Sequence, residues 1–216
     1  VILAGSHYVE AKAKDNAYLL EAAKDIPVML VNGWLEGEQI YSTVCDDHAA
    51  VYNAALSLYR SGRTSVLYLY SGSSYSNLSK LSGYRDAVRD GGLELREELM
   101  VYCSKDLDGA MERLEQLSGS GVYFDGVVAA EDILAVGAVK YADKAGLRVP
   151  EDLSIIGYNN SILSRCTTPE ITSVDNKVEA LCTTTVNTLM KVLDGGNVPA
   201  KTTITPELIK RGTTNF

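Results

Sequence analysis

Gly146-Leu147-Arg148-Val149-Pro150-Glu151-Asp152-Leu153-Ser154-Ile155-Ile156-Gly157-Tyr158-Asn159-Asn160 is the stretch on which the fold turns. Gly146 accepts the left-handed backbone that ends a helix, and Pro150 has no N–H with which to continue one. The apolar run from Leu153 to Ile156 then has the length of a buried strand, which predicts a strand over Ser154–Tyr158. Such a strand delivers Tyr158 and Asn159 to its carboxyl end, where open α/β sheets bind ligands.

Working outward, the same alternation of short apolar runs and helical periods fills the chain. Strands are expected at Val1–Ala4, Pro27–Val31, Ser65–Tyr70 and Gly126–Ala129, most of them unbroken apolar runs, as strands buried on both faces should be. Helical spacing recurs at Ala49, Tyr52, Leu56 and Tyr59, and again at Leu134, Ala138, Tyr141 and Ala145. It returns at Cys182, Val186, Leu189 and Leu193, where Gly195-Gly196 stops the helix. This is the βαβ rhythm of an α/β protein with parallel sheets. No repeat, low-complexity tract or Pro/Ser-rich linker interrupts it.

At 216 residues and 46% hydrophobic content the chain can bury a full core. No apolar run reaches the roughly 20 residues of a membrane-spanning helix, and no signal-peptide pattern opens the chain. The net charge of −8 disfavours this surface as a platform for nucleic acid, which needs clustered Lys and Arg, so any DNA contact must come from elsewhere. Cys45, Cys103, Cys166 and Cys182 lie far apart in apolar or helical surroundings, which favours reduced thiols in a cytoplasmic protein over a disulfide framework.

The quoted stretch closely resembles the G-x-x-V-P-x-D-hydrophobic-S-hydrophobic-hydrophobic-G-[FY]-[DN]-[DN] signature of the LacI/GalR family of transcription regulators. Further matches follow in the family's order: Ile26 to Asn32, Val44 to Asp47 with a helix to Ser61-Gly62-Arg63, and Gly83-Tyr84. They continue through Glu131 to Ala138, Thr168 to Val174 and Pro206 to Thr214, so the resemblance covers essentially the whole chain. It implies a two-lobed, periplasmic-binding-protein-like fold, each lobe a parallel sheet flanked by helices. Three hinge crossings are expected near Gly62–Ser65, Pro169–Asp175 and Val198–Thr202. The expected lobes are 1–64 with 174–199, incomplete, and 65–173 with 200–216. The family's helix-turn-helix headpiece and the first strands and helix of its amino-terminal lobe would precede Val1. The resemblance further implies a homodimer that binds a small effector, usually a sugar or nucleobase, in the cleft between the lobes, and operator DNA through the headpiece.

Six side chains are the candidate effector contacts. Lys80 stands where the family commonly has an Arg for sugar hydroxyls or a carboxylate; it is either that contact, without the planar fork, or a solvated helix lysine. Asn159 replaces a frequent Asp, keeping donor and acceptor but losing the charge-assisted bond, and is equally a turn or cap residue. Glu131 replaces a frequent Asn at a strand's carboxyl end and is taken as a ligand contact, whereas Asp132 is taken as a helix cap. Asn176 is either a cleft residue from the other lobe or a helix N-cap. Tyr75 and Tyr102 offer rings for stacking on a sugar, among thirteen Tyr against two Phe, most of which are expected to pack as amphipathic surface. Ser104 sits where relatives often carry an aromatic residue.

Competing chemistries find little to stand on. The chain has no G-x-S-x-G, no G-x-x-x-x-G-K-[ST] and no G-x-G-x-x-G, and Cys45 with His48 lacks the further ligands of a zinc site. No enzyme, cofactor or metal is therefore expected. The rivals to an effector-sensing repressor core are a secreted sugar-binding protein of a transporter, which shares the architecture, and a regulator that responds to a protein alone.

Overall fold

The computed structural model describes residues 1–10 and 12–216. In chain order its elements are β1 (Ile2–Ala4), α1 (Ala17–Ala22), β2 (Val28–Val31), β3 (Ile40–Cys45), α2 (Asp47–Arg60), β4 (Val66–Tyr70), α3 (Tyr75–Asp90) and β5 (Met100–Tyr102). They continue with α4 (Leu107–Gly119), β6 (Gly126–Ala129), α5 (Asp132–Lys144), β7 (Ser154–Tyr158), β8 (Thr172–Asp175), α6 (Val178–Leu193), β9 (Lys201–Ile204) and β10 (Glu207–Ile209). The strands form two sheets, in the orders β1-β2-β3-β9 and β10-β8-β7-β6-β4-β5, parallel throughout except that β10 runs antiparallel to β8. The expected α/β architecture of two helix-flanked parallel sheets is present.

One sheet belongs to each of two units. The smaller comprises Val1–Asp46, Ser73–Ser79 and Lys177–Pro206, and the larger Asp47–Gly72, Lys80–Asn176 and Glu207–Phe216. In the smaller unit Leu19 of α1 packs with Val28, Leu30 and Ile40, while Leu181 of α6 packs with Val31, Cys45 and Ile204. In the larger unit the strands are buried on both faces. Leu67, Leu69, Val127, Ala129 and Ile155 face α4 and α5; Val66, Tyr68, Val128, Ala130 and Ile156 face α2 and α3. That double burial explains why these strands read as unbroken apolar runs.

The unit boundaries correct the expected ones. Residues 47–64 join the larger unit because Ala50, Val51, Ala54 and Leu58 of α2 pack with Val66, Tyr68 and Tyr84. Residues 200–206 join the smaller one because β9 pairs with β3, Ser42 opposite Lys201. The chain thus passes between units after Asp46, Gly72, Ser79, Asn176 and Pro206. Of the expected hinges, Gly62–Ser65 is instead a turn inside the larger unit, whereas the crossing after Asn176 falls one residue past Pro169–Asp175, just beyond β8.

The recurrent sequence pieces meet one another at the amino ends of the larger sheet's strands. Arg63 Nε donates to Ser154 Oγ (3.0 Å), and its two terminal nitrogens donate to the carbonyls of Glu151 (3.0 Å) and Pro150. Asp125 accepts from the backbone N–H of Thr64 and of Ser65, each at 2.9 Å. The closing Arg-Gly-Thr-Thr is likewise internal: Thr213 Oγ1 donates to Ile155 O (2.6 Å) and accepts from Thr172 N (2.9 Å). Gly83 is fixed by close approach, because a β-carbon there would overlap the His48 carbonyl where α3 crosses α2.

Gly83→Ala is therefore expected to cost about 1–3 kcal/mol, the usual penalty of overpacking, as read by a lower urea midpoint at unchanged slope. A second expectation concerns acid. Asp152 accepts from Arg148 Nε, a terminal guanidinium nitrogen and the backbone N–H at 2.8, 2.8 and 2.9 Å, and this pairing brings its carboxyl from 3.8 down to about 2. A depressed folded-state pKa contributes stability above the ordinary value that is lost as pH falls through the shifted one. Wild-type melting temperature should fall more steeply than that of Asp152→Asn between about pH 4 and 2 in a thermal melt series.

Candidate functional site

Because β4 to β8 are parallel, their carboxyl ends lie along one edge of the larger sheet and are followed there by Ser71, Cys103, Ala130, Asn159 and Asn176. Asp132 organises this edge. Its carboxylate is buried and accepts from Ser161 N (2.7 Å), Ser161 Oγ (2.8 Å) and Ser173 Oγ (2.6 Å). Burial pushes its pKa up, against the opposing pull of those serine donors. Gly157 leaves the room it needs, since a β-carbon there would collide with Asp132 Oδ1. Asp132 is thus not the cap that the sequence suggests. The α5 N-cap position is Glu131, whose side chain makes no capping bond, and the Asp132 carboxylate holds the loop after β7 against β8 instead.

With that loop held, Asn159 and Asn160 adopt φ of 98° and 48°, values that few residues other than Gly and Asn tolerate. Asn159 Oδ1 accepts from Asn176 Nδ2 at 3.1 Å, and the buried Oδ1 of Asn176 has no partner. Asn176 therefore belongs to the same unit as Asn159, correcting its assignment to the other lobe. It is also not the cap of α6, a position held by Lys177. Glu131 pairs with Lys105 at 2.8 Å and keeps 15% of its side chain accessible. Tyr102 is 60% exposed and meets Tyr70 edge to face at 5.7 Å. Cys103, the next residue, is buried, and desolvation pushes its thiol up to about 11.

Lys80 is not a solvated helix lysine: it is 5% exposed. Its ammonium lies 3.6 Å from the centroid of the Tyr158 ring and donates to Ala130 O at 3.1 Å. The Tyr158 hydroxyl in turn donates to the buried carboxylate of Asp47. Tyr158 stands at the carboxyl end of its strand as expected, whereas Asp47 is a contributor that residue-by-residue reading passed over, although it closes the Val44 to Asp47 match at the start of a helix. Tyr68, stacked on Tyr84 at 5.3 Å, has a buried hydroxyl without a partner, and burial raises its pKa well above the ordinary value. Tyr75 is the candidate that falls in the smaller unit, where its hydroxyl accepts from Lys201 Nζ at 3.3 Å. Among the described residues, no group of three or more His, Cys, Asp and Glu is placed to hold a metal ion, and no helix is long and apolar enough to cross a membrane.

The family model for the periplasmic binding protein-like domain matches residues 55–214. The chain belongs to the periplasmic-binding-protein-like family. Its relatives within that family are LacI/GalR-type regulators, and the region they share with it is their effector-binding domain. An HTH-type transcriptional regulator of Lachnoclostridium phytofermentans is 50% identical over all of this chain, which spans 65% of that protein's length. Among solved structures, a sugar-binding LacI-family regulator from Escherichia coli complexed with phosphate is 26% identical, with a TM-score of 0.86, covering 99% of this chain and 76% of its own. The Escherichia coli transcriptional repressor ascG is 27% identical, with a TM-score of 0.82 over 94% of this chain and 74% of its own.

The quoted signature acquires a physical account in this chain. Its Ser is Ser154, which accepts from Arg63; its Gly is Gly157, which makes room for Asp132; and its aromatic residue is Tyr158, which carries Lys80 on its face. Removing the carboxylate should leave three donors around Ser161 and Ser173 unanswered. Asp132→Ala is expected to destabilise the protein by about 1–3 kcal/mol in equilibrium urea unfolding at pH 7.

Proposed function

We propose that this chain is the effector-sensing core of a LacI/GalR-type transcription regulator, a cytoplasmic repressor that works as a homodimer. We further propose that it binds a sugar or sugar derivative and reads operator DNA through a separate headpiece. The carrying observation is the chemistry gathered at the carboxyl edge of the larger sheet. An amide pair, Asn159 with Asn176, stands with the accessible carboxylate of Glu131 and the exposed ring of Tyr102. Amides offer both donors and acceptors, a carboxylate accepts from hydroxyls, and an aromatic face takes the apolar side of a pyranose. That combination suits a polyol. The naming of relatives as regulators, one of them sugar-binding and one a repressor, supports the regulatory part, and none of those names is an enzyme's. Coupling to DNA requires an effector with different affinities for two states of the protein.

A thermal-shift screen of sugars, sugar phosphates and nucleobases tests the reading. A ligand selective for the folded state adds about 2.7 kcal/mol of stability at a hundredfold excess over its Kd, visible as a raised melting temperature. Glu131→Ala and Asn159→Ala should each weaken a sugar hit about tenfold by isothermal titration. If both leave the affinity of a confirmed hit unchanged, the effector does not use this edge.

A further inference from the structure

Three side chains that border the chain's crossings converge on two consecutive residues of the larger unit. Asp47 and Lys80 are the first residues of that unit after the crossings that follow Asp46 and Ser79, and Asn176 is the last residue before another. All three are buried. The first two meet at Tyr158, whose hydroxyl donates to the Asp47 carboxylate while the Lys80 ammonium lies 3.6 Å from its ring centroid. The third meets Asn159, whose Oδ1 accepts from Asn176 Nδ2 at 3.1 Å. Asp47, Lys80, Tyr158, Asn159 and Asn176 all belong to the larger unit, so the convergence is internal to it.

Tyr158 joins a buried cation to a buried anion, each of which would be costly to bury alone. A phenol that donates to a carboxylate has a more electron-rich ring, and such a ring holds an ammonium on its face more firmly, so the two contacts reinforce each other. Both act on the last residue of β7, and the residue after it is Asn159. Lys80 also donates to Ala130 O at 3.1 Å, and the residue after that carbonyl is Glu131. The lysine therefore steadies the backbone that presents Asn159 and Glu131, the amide and the carboxylate read as effector contacts. Asn159 sits at φ of 98°, a conformation that persists only where its surroundings impose it, and the buried Oδ1 of Asn176 beside it has no hydrogen-bond partner among the described residues.

We propose that Lys80 and Asp47 are positioning residues. Acting through Tyr158 they set Asn159 and Glu131, and the same contacts carry a displacement of Asn159 to the chain where it enters or leaves the larger unit at Asp47, Lys80 and Asn176. This deepens the effector reading and rests on it for what binds at the edge.

Amide hydrogen exchange, followed residue by residue by NMR, reads the positioning without any sugar. The reporters are the bonded amides of Ala130, Asn159 and Ser161; the controls are those of Asp125 and Ser154, at the other ends of β6 and β7. Lys80→Met should speed exchange at the reporters about tenfold relative to the controls, as loss of one charge-assisted hydrogen bond would give. Lys80→Arg keeps a cation over the ring and donors for Ala130, and should restore most of the protection. Tyr158→Phe keeps the ring under Lys80 but releases Asp47, and should speed exchange at Asn159 and in the first turns of α2. It removes a single oxygen, so it keeps the test open if Lys80→Met does not fold. Glucose, galactose, maltose and cellobiose are then added in turn at millimolar concentration. A sugar that raises the melting temperature should slow exchange at Asn159 and also alter it in the first turns of α2, and Tyr158→Phe should lose the second effect while keeping the first. Reporters and controls speeding up together, or neither changing, would overturn the positioning and leave the effector reading standing. Protection that stops at Asn159 in the wild type would overturn the transmission. No response to any of the four sugars, with the variants behaving as expected, would sink the sugar reading and the transmission with it, and keep the positioning.

Discussion

The carboxylate of Asp132, buried beneath the ends of β7 and β8, takes three hydrogen bonds from Ser161 and Ser173. A buried charge is tolerated only when it is answered in this way, and the answer here constrains backbone rather than other charges. Ser161 lies three residues past β7 and Ser173 within β8, so the one group ties the loop after β7 to β8. Asn159 is then held in a left-handed conformation, and its amide meets that of Asn176. The absence of a side chain at Gly157 is part of the same arrangement, because the carboxylate occupies the space a β-carbon would need. The Asn159–Asn176 contact is seated on that packing.

The two ends of the larger sheet are built on different terms. At the amino ends, Arg63 and Asp125 spend their polar atoms on backbone groups and Ser154, and Thr213 stitches the last residues to β7 and β8. At the carboxyl ends, side chains answer side chains, as in Asn159 with Asn176 and Glu131 with Lys105, and some polar atoms stay unanswered, as in Asn176 and Tyr68. A closed polar network gives rigidity, and an open one gives somewhere for a ligand to bind. The division matches the general preference of α/β sheets for binding at the strands' carboxyl ends.

Legibility in the sequence followed the source of each feature. Strands β6 and β7 were readable to the residue because their burial on both faces makes them unbroken apolar runs between breakers. The edge strands β5, β9 and β10 were not, being three or four residues long with exposed positions, so that Lys201-Thr202-Thr203-Ile204 carries no strand period. The lobe boundaries slipped for a related reason: α2 has an apolar face, but nothing in its own residues says which sheet that face will meet. Lys80 illustrates the limit at the site. Its burial depends on Ala130 and Tyr158, brought to it by two later strands, and a lysine in a helix carries no mark of such partners.

The pairing of β3 with β9 also governs the order in which the chain can assemble. Ser42–Cys45 must wait for Lys201–Ile204, and nearly all of the larger unit's chain is synthesised in between. Segments joined across so long a loop form late, because the entropy of closing the loop is lost before the contacts return it. β1 to β3 are synthesised before β4 to β8, and the pairing of β3 with β9 waits until that whole run of strands has been made. The smaller unit's sheet is thus completed late in synthesis. The parallel edge of β3 meanwhile stays open to any strand that comes near, which makes this step the point of greatest exposure to misassembly during synthesis.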